Sequence, residues 1–255
     1  MSLALKVMLS PVLVAQAVLT RSRMPRLPEP VGERQGVVGQ GPKLRPLRLL
    51  IAGDSSAAGV GVMTQSEALA VPLATALASH CAARVAWRLM AQSGLTTAQT
   101  LATLQADAGL RADVAVIVTG VNDVVDQVPS HHAVASRDAV ANWLRNASGV
   151  HHVVFAPLPP VHQFPGLPQP LRWVAGADAQ RHNLALQRWA ATRSDVSCVT
   201  MALPLGRDVM ASDGFHPGAP VYRYCASAIA QHIATQVWPT LRHDLQQETS
   251  ACPAI

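Results

Sequence analysis

An apolar run that ends in a serine is the first feature of this sequence that could carry chemistry. Residues 49–52 (Leu-Leu-Ile-Ala) lead directly into Gly53-Asp54-Ser55, and small residues continue from there to Gly61. A buried strand that delivers a serine at its carboxyl end, just before a helix, is how an α/β protein presents a nucleophile. Taken alone, Gly-Asp-Ser is more typical of a surface turn. Its interpretation therefore depends on the other segments.

A base and an acid for such a serine lie far along the chain, in Asp213-Gly214-Phe215-His216. Serine is a poor nucleophile until a base removes its proton, and the base needs a third group to fix its tautomer. A carboxylate three residues before a histidine can reach Nδ1, which leaves Nε2 free to face Ser55. By itself, this loop could be a surface turn. Together with the other segments, the spacing predicts that His216 is the base and Asp213 the group that orients it.

Acyl transfer also requires hydrogen-bond donors for the developing oxyanion, and one good donor contributes roughly 3–4 kcal/mol. The candidates are the Ser55 N–H, the Gly94 N–H in Ser93-Gly94, and the side-chain amide of Asn122 in Gly120-Val121-Asn122-Asp123. Gly94 and Asn122 are also typical turn residues. The neighbouring carboxylates, Asp54 and Asp123, are interpreted as structural groups that hold these loops.

These four segments, in this order, resemble the defining blocks of the SGNH/GDSL hydrolase superfamily over roughly residues 47 to 237. The resemblance implies a three-layer α/β/α sandwich of the flavodoxin-like SGNH type and an esterase activity. It also implies a triad of Ser55, Asp213 and His216, and an oxyanion hole formed by Ser55, Gly94 and Asn122.

Two other serine mechanisms fit poorly. The nucleophile elbow of α/β-hydrolases, Gly-x-Ser-x-Gly, fails here because Ala57 stands at its last position. A Ser-Lys mechanism is disfavoured because Lys6 and Lys43 are the only lysines. Ser56 is a rival nucleophile, but Ser55 is the residue that matches the family block.

Strand-like apolar runs alternate with helical patterns through the centre of the chain. The predicted strands are 47–52, 85–90, 114–119, 153–156 and 196–199, and the predicted helices are 66–80, 96–108, 133–147, 178–192 and 222–237. This alternation predicts an α/β fold with a central, mostly parallel five-stranded sheet covered on both faces. Because Ser55, Gly94 and Asn122 each follow a predicted strand, we expect them to meet at one rim of the sheet.

Composition excludes several other classes of function. The formal net charge is +5, yet the basic residues are scattered or N-terminal, and three Phe and two Tyr leave little for stacking bases. We therefore expect no nucleic-acid partner. No phosphate-cradling loop, dinucleotide fingerprint or metal-ligand spacing occurs, so neither a cofactor nor a metal is predicted. The four cysteines (Cys81, Cys198, Cys225 and Cys252) are interpreted as small buried side chains.

The ends of the chain are predicted to lie outside the hydrolase domain. We assign residues 1–23 to an apolar helix or anchor, 24–46 to a Pro/Gly/Arg-rich linker, 47–240 to the hydrolase domain and 241–255 to a tail. Residues 3–19 are largely apolar and arginines follow, which favours membrane-surface association over simple packing on the body. Cytoplasmic or membrane-associated localisation is preferred over periplasmic. The sequence predicts no oligomeric state.

The expected activity is hydrolysis of short-chain carboxylic esters, with a small-molecule ester as the partner. Small residues after the nucleophile (Ala57, Ala58 and Gly59) favour a shallow, open pocket. The segment 157–173, with six prolines, is expected near the rim, either as a lid or as a structural loop. Glycan O-deacetylase, lysophospholipase and thioesterase activities are alternatives with the same triad, and a non-enzymatic binding module is disfavoured. Activity should rise with pH through the neutral region, because the base must be neutral.

Overall fold

A six-stranded sheet forms the centre of the protein in a computed structural model, which describes residues 3–41, 45–203 and 205–243. The strand order is β1-β3-β2-β4-β5-β6, and every neighbouring pair is parallel except β1 with β3. The strands are β1 Gln35–Val38, β2 Leu47–Gly53, β3 Val85–Ala91, β4 Val114–Val118, β5 His152–Phe155 and β6 Val196–Cys198. The helices are α1 Leu3–Arg23, α2 Ser55–Ala58, α3 Ala70–Cys81, α4 Thr97–Gln105, α5 Val121–Val125, α6 Ser130–Ser148, α7 Leu171–Ala190 and α8 Ala219–His232.

The side chains of alternate strand residues pack into two hydrophobic cores, one on each face of the sheet. Leu49 and Ile51 of β2 pack with α3 and α8, whereas Leu50 and Ala52 pack with α4, α6 and α7. Because both faces are covered, the central strands are apolar at nearly every position. The three-layer α/β/α prediction is confirmed.

The topology places a binding rim between β2 and β4. The parallel part of the sheet has the doubly wound order in which the first strand lies between the second and the third. In such sheets ligands bind outside the carboxyl ends of the strands, where the strand order reverses. That point lies between Gly53, at the end of β2, and Val118, at the end of β4.

The five predicted strands are present, with ends that differ by one residue at most. The predicted strand number was wrong, because β1 adds an antiparallel edge strand. This strand lies inside residues 24–46, the segment predicted as a linker. β1 is only four residues long, and its residues are alternately exposed and half-buried, so it lacks the continuous apolar run of a buried strand. Its pairing with β3 stabilises it.

The five predicted helices are present, but each differs from its predicted limits, by up to seven residues. α7 begins at Leu171, seven residues before the predicted Asp178, and α8 continues through a π-helical segment, Ile233–Val237. Most of the predicted tail, from residue 244 onwards, lies outside the described residues. Within the described part of the chain, no helix combines the length and apolar content needed to cross a bilayer.

Candidate active site

Ser55 is presented by a tight junction between β2 and α2. Gly53 has a φ of +151°, and a Cβ there would collide with the carbonyl of Val118. A glycine is therefore required for β2 to stay against β4 as the chain turns. Asp54 caps α2 by accepting a 2.9 Å hydrogen bond from the Ser56 N–H. Ser55 is consequently the first helical residue, at the carboxyl end of a central strand.

Three side chains form one hydrogen-bonded chain. The Ser55 Oγ lies 3.0 Å from Nε2 of His216, and Nδ1 of His216 lies 2.6 Å from Oδ2 of Asp213. An ionised carboxylate can only accept, so Nδ1 carries the proton and Nε2 is free to accept the proton of Ser55. The sequence-predicted base, acid and nucleophile are thus brought together in the geometry of a nucleophile, its base and an orienting group.

The Asp213 carboxylate is fully buried, yet it is held in its charged form. Burial alone would raise the pKa of Asp213. Hydrogen bonds from His216 Nδ1 and from the backbone N–H groups of His216 and Phe215 outweigh burial and lower that pKa below its ordinary value. The result is an anion that keeps the imidazole in one tautomer and one orientation.

Backbone hydrogen bonds join the three loops at the rim. The Gln92 N–H donates to the Gly53 carbonyl at 3.2 Å, and the Asp54 N–H donates to the Val118 carbonyl at 3.1 Å. Nδ2 of Asn122 donates to the Leu95 carbonyl at 3.0 Å. An amide has two N–H hydrogens, so this bond orients the Asn122 side chain and leaves the second hydrogen for another acceptor. Asn122 thus lies beside the loop that carries Gly94.

Gly94 itself sits in an open position. Its φ is +87°, and a Cβ placed there would meet no other atom within 4 Å. The backbone at this residue is therefore accessible to a ligand and adopts a conformation that glycine tolerates best. Both features fit the predicted oxyanion role.

The other two carboxylates of the site, Asp54 and Asp123, hold loops, as we predict from the sequence. Asp123 accepts from the N–H and the hydroxyl of Thr97, at 2.9 and 2.6 Å, which ties the start of α4 to α5. Burial raises the pKa of Asp54 to about 7, despite its hydrogen bond with Ser56 and the proximity of His216. Neither carboxylate is hydrogen-bonded to the imidazole in the structure.

A small apolar cavity of about 70 Å³ adjoins Ser55 and His216. Its wall is mainly hydrophobic and includes Leu158, Phe164, Met201, Leu205, Met210 and Phe215. This volume would hold several waters, each requiring roughly 10–15 Å³, and is far below the roughly 300 Å³ of pockets for drug-sized ligands. The enclosed space beside Ser55 is therefore small for a ligand pocket.

From the sequence we attribute a shallow pocket to the small residues after Ser55, and that attribution was wrong. Ala57 and Ala58 are fully buried in the core and do not line the cavity. Small residues are needed after the nucleophile for a different reason: a Cβ at Gly61 would collide with the Pro217 carbonyl and lie 3.3 Å from His216 Cβ. They let the loop that carries the base approach the nucleophile.

The part of the proline-rich segment 157–173 that precedes α7, residues 157–170, lies at the rim, as expected, and is well packed. Leu158 and Phe164 line the cavity and are buried. The Gly166 N–H donates to the Gly214 carbonyl at 2.9 Å, and the Phe164 and Phe215 rings meet edge to face. The segment thus both lines the cavity and supports the turn that carries Asp213 and His216.

Sequence reasoning missed two supporting residues. Glu29, in the predicted linker, accepts from the N–H and hydroxyl of Ser93 at 2.8 and 2.9 Å, next to Gly94. Arg137 is fully buried, with Nη2 3.7 Å from Oδ2 of Asp123. No sequence signal distinguishes Glu29, but the helical period places Arg137 on the apolar face of α6 with Ala133, Val140 and Leu144. A charge at such a position marks a buried polar contact.

The described cysteines supply no reactive group to the site, although Cys225 lies in the wall of the cavity. Cys81, Cys198 and Cys225 carry free thiols, and burial raises their pKa values to about 11, 11 and 12. Thiols with pKa values this high are poor nucleophiles at neutral pH. Cys252 lies outside the described residues.

Both the fold and the arrangement of groups at the rim are typical of a hydrolase with a doubly wound α/β fold. The chain belongs to the GDSL-like lipase/acylhydrolase family, whose family model matches residues 51–224. The chain is accordingly a carboxylic ester hydrolase, and the resemblance to the SGNH/GDSL superfamily is confirmed.

Known proteins that resemble the chain carry esterase or lipase names. A GDSL-like esterase of Mycobacterium tuberculosis is 30% identical over 244 residues, covering 85% of this chain and 74% of that protein. Among solved structures, a lipase from a goat rumen metagenome has a TM-score of 0.61 at 20% identity, covering 74% of this chain and 98% of that one. An aryl esterase of M. smegmatis has a TM-score of 0.57 at 16% identity, covering 75% and 100%. At these identities the structural likeness shows the fold.

Proposed function

We propose that the protein hydrolyses short-chain carboxylic esters through an acyl-enzyme intermediate on Ser55. The observation that carries this proposal is the hydrogen-bonded chain from Ser55 Oγ through His216 to Asp213, placed beside an apolar cavity of about 70 Å³. The triad supplies an activated nucleophile, and the cavity limits the length of the acyl group.

The geometry supports the following sequence of bond changes. Nε2 of His216 takes the Ser55 hydroxyl proton as Oγ forms a bond to the ester carbon. The resulting oxyanion faces the Gly94 N–H, the Ser55 N–H and the Asn122 amide. His216 then returns the proton to the leaving alkoxide oxygen as the ester C–O bond breaks. A water molecule gives a proton to the same Nε2 as its oxygen attacks the acyl carbon. His216 then passes that proton to Ser55 Oγ as the acyl C–Oγ bond breaks, which releases the acid and restores the Ser55 hydroxyl.

Ser55→Ala tests the nucleophile directly. The variant should fold normally and lose nearly all hydrolysis of p-nitrophenyl acetate, because no group remains to form the acyl-enzyme. Ser56→Ala is the matched control, since it removes the adjacent hydroxyl and should retain activity within a few-fold. A fluorophosphonate probe should label the wild type and Ser56→Ala but not Ser55→Ala. Retention of a tenth of wild-type activity in pure Ser55→Ala would refute the assignment.

Removal of acetyl groups from a glycan is a second candidate that the small cavity favours. One structural neighbour is a carbohydrate acetylesterase of Sinorhizobium meliloti, with a TM-score of 0.55 at 16% identity over 74% of this chain and 98% of that one. An acetyl group fits a cavity of this size, whereas a long acyl chain of a lysolipid does not. Acetate release from acetylated sugars, compared with turnover of lysolipids and acyl-thioesters, separates the alternatives.

A further inference from the structure

Helix α1 contacts the body of the protein through a narrow stripe that is partly polar. The residues of the stripe recur every three or four positions, as on one side of a helix: Lys6, Leu9, Leu13, Gln16 and Thr20. Nζ of Lys6 lies 2.7 Å from Oδ2 of Asp178, within α7. Gln16 donates to the Gln169 carbonyl at 2.7 Å and accepts from the Leu171 N–H at 3.0 Å. Two polar side chains of α1, Lys6 and Gln16, thus face inwards.

The opposite side of α1, which we call the outer face, is apolar and exposed. It comprises Val7, Met8, Val12, Val14, Val18 and Leu19, between 46% and 76% exposed. No residue from 7 to 20 is charged. A surface helix of a globular protein normally has the reverse arrangement, with its apolar stripe towards the core. A contiguous exposed apolar surface of this kind marks an interaction site.

Positive charge follows the outer face directly. Arg21, Arg23 and Arg26 are exposed, and residues 3–28 contain no acidic residue. A complementary partner must therefore be apolar and negatively charged at once. A second copy of α1 provides apolar surface but none of the negative charge. Trp173, 45% exposed in the first turn of α7 near the Gln16 contact, is of the residue type enriched at bilayer interfaces.

We propose that α1 docks flat on a bilayer containing anionic lipids, with its outer face in the headgroup boundary and its arginines against the lipid phosphates. A helix of this kind lies in the plane of the bilayer surface. It binds both by burying its apolar face and by attraction of its basic residues to anionic lipids. The two sequence-based alternatives for this segment, packing and membrane association, then describe opposite sides of one helix. Docking would also place lipid beside Gln169, where the segment that lines the cavity ends.

Vesicle flotation with the full chain tests the docking. The wild type should float with vesicles of phosphatidylcholine and phosphatidylglycerol, but not with phosphatidylcholine alone. Val7→Gln, Val14→Gln and Val18→Gln together should lower the partition coefficient by about tenfold or more, because polar side chains replace the apolar surface. Glutamine is a good helix former, so α1 should persist.

The matched control carries Val37→Gln, Met63→Gln and Leu184→Gln. These side chains are exposed to a similar extent, between 52% and 74%, but none of them belongs to α1. This variant should float like the wild type. Because flotation requires no hydrolysis, Ser55→Ala should float too, so failure of docking and failure of the proposed function are distinguishable.

A second variant tests the charges. Replacing Arg21, Arg23 and Arg26 with glutamine should weaken binding by roughly five-fold for each residue, on the order of 100-fold in all, and should reduce its salt dependence. The docking proposal is overturned if the wild type ignores anionic vesicles, or if it binds neutral ones equally well. It is also overturned if the outer-face variant floats normally, or if sedimentation shows a dimer in lipid-free buffer that the outer-face variant abolishes.

Discussion

Replacing Asp213 with asparagine should abolish most of the activity while leaving the fold in place. The Asp213 Oδ1 accepts from the N–H groups of Phe215 and His216 at 2.9 and 3.0 Å, and an asparagine carbonyl can keep both bonds. The Oδ2 lies 2.6 Å from Nδ1 of His216. An amide nitrogen at that position donates a hydrogen bond, which favours the tautomer with the proton on Nε2. That tautomer cannot accept the proton of Ser55.

The size of the loss follows from the same contact. The equivalent substitution in a serine protease triad lowers kcat by roughly 10⁴ through the wrong tautomer, which corresponds to about 5.5 kcal/mol of transition-state stabilisation. We expect a loss of this order in kcat/KM for p-nitrophenyl acetate. Substrate affinity should change little, because Asp213 is buried beneath the imidazole and does not line the cavity.

The assay needs a control for folding and a control for charge. Asp208→Asn removes an exposed carboxylate from a nearby loop and should retain full activity. Circular dichroism and urea unfolding should show Asp213→Asn folded, with a destabilisation of about 1–3 kcal/mol from the altered buried hydrogen bond. If folded Asp213→Asn keeps more than a tenth of wild-type kcat/KM, Asp213 does not set the tautomer and the reasoning fails.

Two further predictions concern the oxyanion site and stability towards acid. Asn122→Ala should lower kcat by about 10²–10³ with little change in KM, because one donor to the developing oxyanion is lost; an unchanged kcat would remove Asn122 from that role. Burial lowers the pKa values of His152, His182 and His232, with neighbouring positive groups adding to the effect at His152 and His182. These histidines bind fewer protons in the folded than in the unfolded chain, so their stabilisation is complete above an unfolded pKa of about 6.5 and is lost as pH falls below it. The raised pKa of Asp54 acts in the opposite direction over the same pH range. In Asp54→Asn, which removes that opposing group, the urea midpoint should therefore fall between pH 7.5 and 5.5; a constant or rising midpoint in that variant would contradict the role of the histidines.

Much of the site could be predicted because its determinants are local in sequence. Gly53-Asp54-Ser55 combines the end of a strand, a helix cap and the nucleophile in three consecutive residues. Asp213 and His216 form their contact within one turn, at a spacing that backbone geometry alone makes favourable. The parallel sheet then brings the two groups together, and its presence follows from the alternation of apolar strands with helices.

Features that depend on contacts between distant segments were not predictable. β1 is a strand only because β3 is available to pair with it, and the role of Glu29 depends on where the Ser93 loop lies. The cavity wall includes Met201 and Leu205, neither of which lies in a helix or a strand, and the sequence around them has no periodic pattern.

Helix α1 shows most clearly what the sequence predicts and what only tertiary contacts decide. Its sequence determines a helix that is apolar at most positions and followed by arginines, and that pattern predicts an interacting helix. Which side faces the protein is decided by Asp178 and by the backbone of Gln169 and Leu171, which bind Lys6 and Gln16. Those partners come from residues more than 150 positions away along the chain. Sequence periodicity records which residues share a side of a helix, whereas only tertiary contacts decide what that side meets.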